Sequence, residues 1–194
     1  MEILLFLFIL QEFPSRRENF IKMEVPDMIF TIEVALKCHR ELIANMMEKY
    51  LYELSQYENE AFDEHGLFGY PYLDLYWSEE GRCPFLLRAD GKPAGFILVN
   101  NHPECDLPHD YSIAECFVAY PYRRQGLATQ ALRAVFRHLP GRYHIRFHPE
   151  NVAAARFWRV IADEYAVDGV TEVPGEPYGN QPSVVLAFGC KPID

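Results

Sequence analysis

Basic residues are scarce in this sequence, and their shortage limits the partners that the protein can bind. The chain has 18 Lys and Arg residues against 28 Asp and Glu, which gives a formal net charge of -10. A nucleic-acid-binding surface needs a concentration of Lys and Arg to contact phosphates. We therefore expect no nucleic-acid partner, and a cationic small molecule or a basic protein tail would suit this charge better.

The cysteines lack the pairing patterns of a disulfide framework or a redox motif. They are odd in number, scattered along the chain, and form no C-x-x-C pair. This pattern favours free thiols in a reducing compartment, and we therefore expect a cytoplasmic protein. The five cysteines are Cys38, Cys83, Cys105, Cys116 and Cys190.

The sequence also lacks an apolar run long enough to cross a membrane. Its most apolar stretch, Met1–Leu10, is much shorter than the roughly 20 residues that a spanning helix requires. A secretory signal would place positive charge before its apolar stretch, whereas here Glu2 comes first and Arg16 and Arg17 follow. We therefore expect no membrane partner.

Residues 1–28 are interpreted as an N-terminal extension ahead of the domain. They form either an extra strand or a poorly ordered segment, or they result from a start codon assigned too far upstream, since Met23 and Met28 lie close by. Residues 29–194 then form one domain, which suits a chain of 194 residues. Hydrophobic residues make up 49% of the sequence and charged residues 24%, which is typical of a soluble chain with a real core.

Hydrophobic patterning predicts secondary structure along most of the domain. Apolar side chains at helical spacing predict a helix near His39–Tyr57. Asp90-Gly91 lies between two apolar stretches and predicts a tight hairpin turn. The predicted strands are Ile29–Ala35, Pro84–Arg88, Ala94–Val99, Ser112–Ala119, Tyr143–Phe147 and Ser183–Phe188, and two further helices are predicted over Gly126–Leu139 and Asn151–Ile161. Strands and helices in this order indicate an α/β or α+β layout around one sheet.

One loop between a predicted strand and a predicted helix has the features of a phosphate-binding site. Arg123-Arg124-Gln125-Gly126 leads from the strand into the helix. The free backbone N–H groups and partial positive charge of a helix N-terminus favour a bound phosphate. Gly126 lets the backbone approach a ligand closely, and the two arginines can add charge-assisted hydrogen bonds. An ordinary turn with solvated arginines would explain the same residues, and this loop alone does not decide between them.

A second motif opens the next strand–helix unit. Asn151 begins the pattern N-x-x-A-x-x-F-W, which places Ala154, Phe157 and Trp158 on one helix face. Asn151 is also a good helix N-cap, and that role is compatible with a ligand contact.

Together the two motifs resemble those of the GNAT superfamily of acetyl-CoA-dependent acyltransferases. The first is V-x-x-x-x-R-x-x-G-x-A, here Val118, Arg123, Gly126 and Ala128, and the second begins at Asn151. The segment HGLFGYPYLDLYW and the later FWR are similar to a small bacterial branch known only as predicted acetyltransferases. The resemblance covers the chain from Ile29 to Phe188, although its specific motifs occupy only the second half.

The resemblance implies an α+β fold with a mixed, mostly antiparallel sheet of six to seven strands and helices on both faces. Its two central parallel strands, here Ser112–Ala119 and Tyr143–Phe147, would splay apart and admit the pantetheine arm of acetyl-CoA. The pyrophosphate would lie on the amides of the loop, and Trp158 would line the channel that holds the pantetheine arm. The implied cofactor-binding residues are Phe117, Val118, Ala119, Arg123, Arg124, Gln125, Gly126, Leu127, Ala128, Thr129, Asn151 and Trp158.

The resemblance implies acetyl transfer to a primary amine by direct attack in a ternary complex, with a small molecule as the expected acceptor. An ammonium with a pKa near ~10.4 must first lose a proton. We expect Glu115 to act as the base, because strand alternation puts it on one face with Phe117 and Ala119. A structural carboxylate paired with an arginine is the alternative. The acidic run Glu58, Glu60, Asp63 and Glu64 would either bind the positive charge of the acceptor or form a solvated loop.

Trp158 departs from the family pattern, because many members carry tyrosine at this position. An indole N–H is a hydrogen-bond donor only and is no proton source at neutral pH. A thiol with a pKa near ~8.5 leaves without much help, so acetyl transfer is still expected. Tyr165, Tyr122 or a tyrosine from the N-terminal part of the chain would be substitutes, and the sequence selects none of them.

Three other interpretations fit parts of the sequence. A GNAT-like domain can serve as a non-catalytic acyl-CoA sensor or protein-interaction module, because fold does not fix activity. His102, Cys105 and His109 have plausible spacing for zinc ligands, and His144 and His148 add two more imidazoles, but no matching second set of ligands follows, so no metal is expected. The aromatic segment Gly69–Trp77 would form the surface of a homodimer or line the substrate site. The favoured alternative is that it packs into the core.

Overall fold

The computed structural model describes residues 20–25, 28–177 and 181–190, and for 20–25 it describes the backbone alone. The strands are β1 (Phe20–Val25), β2 (Met28–Val34), β3 (Cys83–Ala89), β4 (Lys92–Asn100), β5 (Tyr111–Val118), β6 (Arg142–Phe147), β7 (Thr171–Pro174) and β8 (Val184–Gly189). The α-helices are α1 (Arg40–Glu58), α2 (Leu127–His138) and α3 (Val152–Tyr165), and short 3-10 turns occur at Lys37–His39, Leu73–Trp77 and Tyr120–Tyr122.

The strands form one mixed sheet in the order β1-β2-β3-β4-β5-β6-β8-β7. Every neighbouring pair is antiparallel except β5 and β6, which are parallel. The expected fold class is therefore confirmed, with eight strands rather than six or seven. One additional strand, β1, lies within the expected N-terminal extension, and the other is the short edge strand β7.

Helices cover both faces of the sheet, as expected. The strands carry apolar side chains on both faces, and each face therefore needs a covering layer. On one face, α1 packs through Ile43 and Met47 against Leu86, Phe96 and Phe117. On the other face, α2 and α3 form the larger core, whose fully buried members include Leu87, Ile97, Leu132, Phe136, Tyr143, Ile145 and Ala162. In the part of the chain that the structure describes, no helix combines the length and apolar character needed to cross a membrane.

The predicted local signals agree closely with the observed elements. Asp90 and Gly91 both have positive φ, as the hairpin between β3 and β4 requires. Helix α1 ends where Asn59 takes a left-handed conformation with φ of 55°. Helix α3 continues beyond the predicted end at Ile161 to Tyr165, because Ala162 and Tyr165 extend its buried face.

Gly95 in β4 permits a close approach to β5. A Cβ atom at this position would overlap the carbonyl oxygen of Phe117 and come within 3.1 Å of the Cα of Val118. These contacts are with backbone, which cannot move aside as a flexible side chain would. The absence of a side chain at Gly95 therefore fixes how closely β4 and β5 pack at the end of the sheet that carries the motifs.

The first prediction concerns this contact. The Gly95→Ala substitution should lower the free energy of unfolding by about 2–3 kcal/mol, because overpacking forces the two strands apart. Chemical denaturation monitored by circular dichroism measures this loss. Gly189→Ala in β8 is the matched control, since a Cβ there meets no atom within 4 Å. Equal stability of the two variants would show that β4 and β5 do not need this glycine.

Candidate functional site

A gap opens between the parallel strands β5 and β6. They pair only at Tyr111 with Tyr143, Ser112 with His144, and Ile113 with Ile145. Beyond Ile113 and Ile145, β5 runs on to Val118 and β6 to Phe147 without pairing to each other. The two predicted central strands therefore splay apart as expected, and each presents unpaired backbone to the space between them.

Val118 presents its backbone to this gap. The N–H of Ala119 donates to the carbonyl of Ala94, at the β4 side of the strand. Because successive peptide groups of a strand point to opposite edges, the N–H and C=O of Val118 point toward the gap. A ligand chain lying in the gap can therefore accept a hydrogen bond from the N–H of Val118, whose carbonyl already accepts one from Nε of Arg123.

A bulge in β5 turns Glu115 toward helix α1. Leu98 pairs with Glu115 but the next residue, Val99, pairs with Ile113, which leaves Ala114 as the extra residue. Glu115 consequently faces the same side of the sheet as Phe117, as strand alternation predicted. Without the bulge, the alternation that buries Ile113 against α2 and α3 would point Glu115 to that opposite face.

The loop after β5 exposes backbone amides at the start of α2. Arg124 and Gly126 have positive φ values of 62° and 80°, and both are exposed together with Gln125. The Gln125 side chain donates to the carbonyl of Pro121 at 2.7 Å and so braces the loop. The first bond of the α2 ladder runs from the N–H of Gln130 to the carbonyl of Gly126, so the amides of 127–129 precede the ladder.

Arg123 has a role that sequence reasoning missed. Its Nη2 atom donates to both carboxylate oxygens of Glu53 in α1 at 2.8 Å, and its Nε atom donates to the carbonyl of Val118. The guanidinium also lies 4.0 Å from the ring centroid of Tyr120. Arg123 therefore ties the end of β5 to α1, while Arg124 is left exposed at the loop surface.

Asn151 and Trp158 lie at the opposite wall of the gap. The Asn151 side-chain oxygen accepts the N–H of Ala154 at 3.1 Å, which confirms that it caps α3. Trp158 is buried on the inner face of this helix and packs on Phe157, with ring centroids 5.0 Å apart. Both residues line the same cleft as the amide loop.

One cleft of about 1110 Å³ joins these features. It runs from the amide loop through the gap between β5 and β6 to the C-terminal half of α1. Among the predicted site residues, its lining includes Glu115, Phe117, Val118, Arg123, Arg124, Gly126, Leu127, Ala128, Thr129, Asn151 and Trp158. Ala119 and Gln125 are adjacent to this lining along the chain.

Glu115 is a carboxylate held in a poorly hydrated part of the cleft. Burial raises its pKa to about 7, against the lowering effect of hydrogen bonds from the hydroxyls of Tyr50 and Tyr70. A carboxyl group with this pKa can exchange protons near neutral pH. Its neighbours are thus two tyrosine hydroxyls and the positive charge of Arg146, which also lowers its pKa.

A second carboxylate, Glu58, shares this environment. Burial and the charge of Glu60 raise its pKa to about 7, and its own charge contributes to the raised pKa of Glu115. Glu104 forms an ion pair with Arg146 at 3.1 Å, and burial raises its pKa as well. Three carboxylates thus face the cleft near Arg146, and a ligand with positive charge would be favoured here. Asp63 and Glu64 of the acidic run are exposed.

The aromatic segment Gly69–Trp77 divides between core and cleft. Leu73 and Tyr76 are buried against α1, which confirms the favoured core interpretation for them. Tyr70 instead lines the cleft and donates a hydrogen bond to Glu115. Burial and the nearby charge of Glu115 raise the pKa of Tyr70. Tyr72 is exposed at the rim.

The residues considered as zinc ligands have other partners. His102 lies 2.8 Å from the guanidinium of Arg82, and His109 lies 3.0 Å from the carbonyl oxygen of Asn101. Cys105 contacts His144 at 3.6 Å. Among residues 28–177 and 181–190, no group of three or more His, Cys, Asp or Glu side chains is arranged to hold a metal ion. All five cysteines are free, as expected.

The two tyrosines considered as proton donors are placed differently. Tyr165, the last residue of α3, is buried in the core, and burial raises its pKa to about 12. Tyr122 lines the cleft beside the amide loop. Sequence reasoning named His148 only as an additional imidazole for zinc and missed its position as a buried residue of the cleft wall that follows β6. Its position directly after a predicted strand was the only signal for it.

Comparison with known proteins agrees with this geometry. Residues 48–161, more than half of the chain, match the model of the acetyltransferase (GNAT) family. No curated protein matches the chain significantly.

Solved structures share the fold at low sequence identity. The ribosomal-protein-S5-alanine acetyltransferase from Vibrio fischeri is 15% identical with a TM-score of 0.59, covering 88% of this chain and 97% of that one. Mycobacterium smegmatis RimJ, solved in complex with CoA-disulfide, is 16% identical with a TM-score of 0.58, covering 90% and 88%. A GNAT-family acetyltransferase from Streptococcus pneumoniae is 17% identical with a TM-score of 0.52, covering 83% and 98%.

The sequence motifs, the splayed parallel strands and the match over residues 48–161 agree, and the chain belongs to the GNAT family of acetyltransferases.

Proposed function

We propose that this protein transfers an acetyl group from acetyl-CoA to a primary amine of a small molecule, by direct attack within a ternary complex. The observation that carries the proposal is a single cleft with exposed amides at one end and the carboxylates Glu115 and Glu58 at the other. The first end suits an anionic pyrophosphate and the second suits a cationic amine. With its free thiols, we place this chemistry in the cytoplasm.

The residues present fit acetyl-CoA. The amides of 127–129 and the exposed guanidinium of Arg124 would hold the pyrophosphate, and Val118 would pair with the pantetheine arm. Trp158 would form an apolar wall and Asn151 a polar contact on the opposite side. Acetyl-CoA supplies an activated acetyl thioester, which is the group that an amine accepts.

Glu115 prepares the amine in this proposal. As a carboxylate it takes a proton from the substrate ammonium, directly or through water, and leaves a neutral nitrogen with a free electron pair. Tyr50 and Tyr70 hold its position by donating hydrogen bonds. A backbone N–H of β5 near Val118 that points into the gap stabilises negative charge that develops on a carbonyl oxygen.

The proposed function is tested by measuring thiol release with a panel of primary amines. Small mono- and diamines should support acetyl-CoA-dependent release, with formation of the N-acetyl product verified by mass spectrometry. Peptides that begin with alanine, and so offer its free amine, belong in the panel, because the Vibrio fischeri structure is named as a ribosomal-protein-S5-alanine acetyltransferase. Acetylation of peptides alone would replace the small-molecule acceptor, and binding of acetyl-CoA without turnover would favour the acyl-CoA sensor.

Glu115→Gln should lower kcat by about 100-fold or more, because general-base catalysis typically contributes that much. In the unmodified protein, kcat/KM should rise with pH through about 7 as Glu115 loses its proton. Glu115→Gln should abolish this rise, whereas Glu58→Gln should retain it. Exposed Glu64→Gln is the matched control and should leave kcat unchanged. Loss of the pH dependence in Glu58→Gln alone would assign the base to Glu58.

Gly126→Val should abolish CoA binding and leave the fold largely intact. A side chain at this position meets only Gln130 at 3.5 Å, but it would extend over the amides that hold the phosphates. The positive φ should cost about 1–2 kcal/mol of stability. Gly169→Val is the control, because Gly169 has φ of 89° and open space around it. It should lose similar stability and retain CoA affinity in calorimetric titration, and normal CoA affinity of Gly126→Val would contradict the loop assignment.

The two neighbouring arginines should respond differently to substitution. Arg124→Gln should weaken CoA binding about 5-fold, more at low salt, without changing the unfolding temperature. Arg123→Gln should instead lower the free energy of unfolding by about 1–2 kcal/mol, because Glu53 and the carbonyl of Val118 lose their partner. Calorimetric titration and thermal unfolding of both variants measure these effects, and the reverse pattern would contradict the assignment.

A further inference from the structure

His148 has an unpartnered hydrogen-bond donor in the wall of the cleft. Its side chain is buried, with 4% of the residue exposed. Its Nδ1 atom accepts the N–H of Glu150 at 3.1 Å, so the proton of the neutral ring lies on Nε2. Nε2 is buried, and no atom of the described residues accepts its hydrogen bond. A buried donor without a partner is costly, which points to an acceptor that arrives with a ligand.

The ring of His148 is fixed in place. The Tyr57 ring stacks on it with centroids 5.8 Å apart and an interplanar angle of 29°. The hydrogen bond from Glu150 fixes the tautomer, and Asn151 caps the helix that follows directly. The ring is therefore held in one orientation before any ligand binds.

Strand register places His148 opposite the middle of the unpaired part of β5. Ile113 and Ile145 are the last paired residues, and three residues further along the chain lie Cys116, in β5, and His148, just after the end of β6. The pantetheine arm would enter from the amide loop beyond Val118 and end toward Glu115. Its sulfur end would therefore lie beside Cys116, across the gap from His148.

Resting on the proposed function, we infer that the Nε2–H of His148 donates a hydrogen bond to the sulfur of bound CoA and stabilises the departing thiolate. The amine nitrogen forms a bond to the acetyl carbon, the carbon–sulfur bond breaks, and sulfur keeps the electron pair. The first ammonium proton goes to Glu115, and the second is lost from nitrogen and ends on sulfur. His148 keeps its own proton throughout. This donor differs from Trp158, whose indole is held within the apolar packing of α3.

The test compares CoA with desulfo-CoA, which lacks the sulfur. At about pH 9 the thiol of CoA is largely ionised. The unmodified protein should then bind CoA more tightly than desulfo-CoA. His148→Phe keeps an aromatic ring stacked on Tyr57. In this variant the ratio of the affinities for CoA and desulfo-CoA should fall by about 10-fold or more, because hydrogen bonds to charged groups contribute that much. Its affinity for desulfo-CoA should not change.

His148→Gln is the matched variant, because its amide retains an N–H donor. It should keep most of the preference for CoA. In turnover with acetyl-CoA, His148→Phe should lower kcat about 10- to 100-fold with KM for acetyl-CoA unchanged, and His148→Gln should restore most of kcat.

Two results would overturn the inference while the proposed function stands. One is a CoA preference in His148→Phe equal to that of the unmodified protein. The other is an equal loss of affinity for CoA and desulfo-CoA, which would make His148 a structural part of the cleft. Failure of the unmodified protein to bind either compound would overturn the proposed function and this inference together.

Discussion

The parallel hydrogen bonding between β5 and β6 ends at Ile113 and Ile145, and the cleft exists because it ends there. Buried backbone groups normally pair, so strands that diverge within a sheet leave donors and acceptors for a ligand. The bulge at Ala114 turns Glu115 toward α1 where the gap begins. Arg123 holds the far end of β5 against α1 through Glu53. One local interruption of the sheet thus positions the amide loop, the strand backbone and the carboxylate.

Charge within the cleft is arranged in two parts. The amide loop and Arg124 attract anions, whereas Glu58, Glu104 and Glu115 favour a cation beside Arg146. Burial raises the pKa of both Glu58 and Glu115 to about 7, so a cationic ligand would favour their ionised forms. Three of the 28 acidic residues of this negatively charged chain thus lie in the half of the cleft away from the amide loop.

The sequence was sufficient to predict features that depend on local patterns. The Asp90-Gly91 turn, the cap at Asn151 and the strand–loop–helix around Gly126 each need only a few neighbouring residues. Features that depend on contacts distant in sequence were not predicted. The hydrogen bonds between Arg123 and Glu53, which lie 70 residues apart, are an example.

His148 and β7 show the same limit. The missing partner of His148 follows from what surrounds its ring, and no motif encodes that. The strand β7, with the sequence TEVP, lacks an alternating pattern and forms because β8 offers a free edge. The Glu115 prediction rested on correct strand alternation, although the bulge that aligns it with the α1 face could not be read from the sequence.

The central claim is that the backbone of β5 at Val118 pairs with a ligand in the gap. Amide hydrogen exchange followed by NMR, with and without saturating acetyl-CoA, tests it most directly. The account predicts that the N–H of Val118 becomes strongly protected when acetyl-CoA binds, while that of Ala119, already bonded to Ala94, changes little. Tight binding of acetyl-CoA with no added protection at Val118 would contradict it.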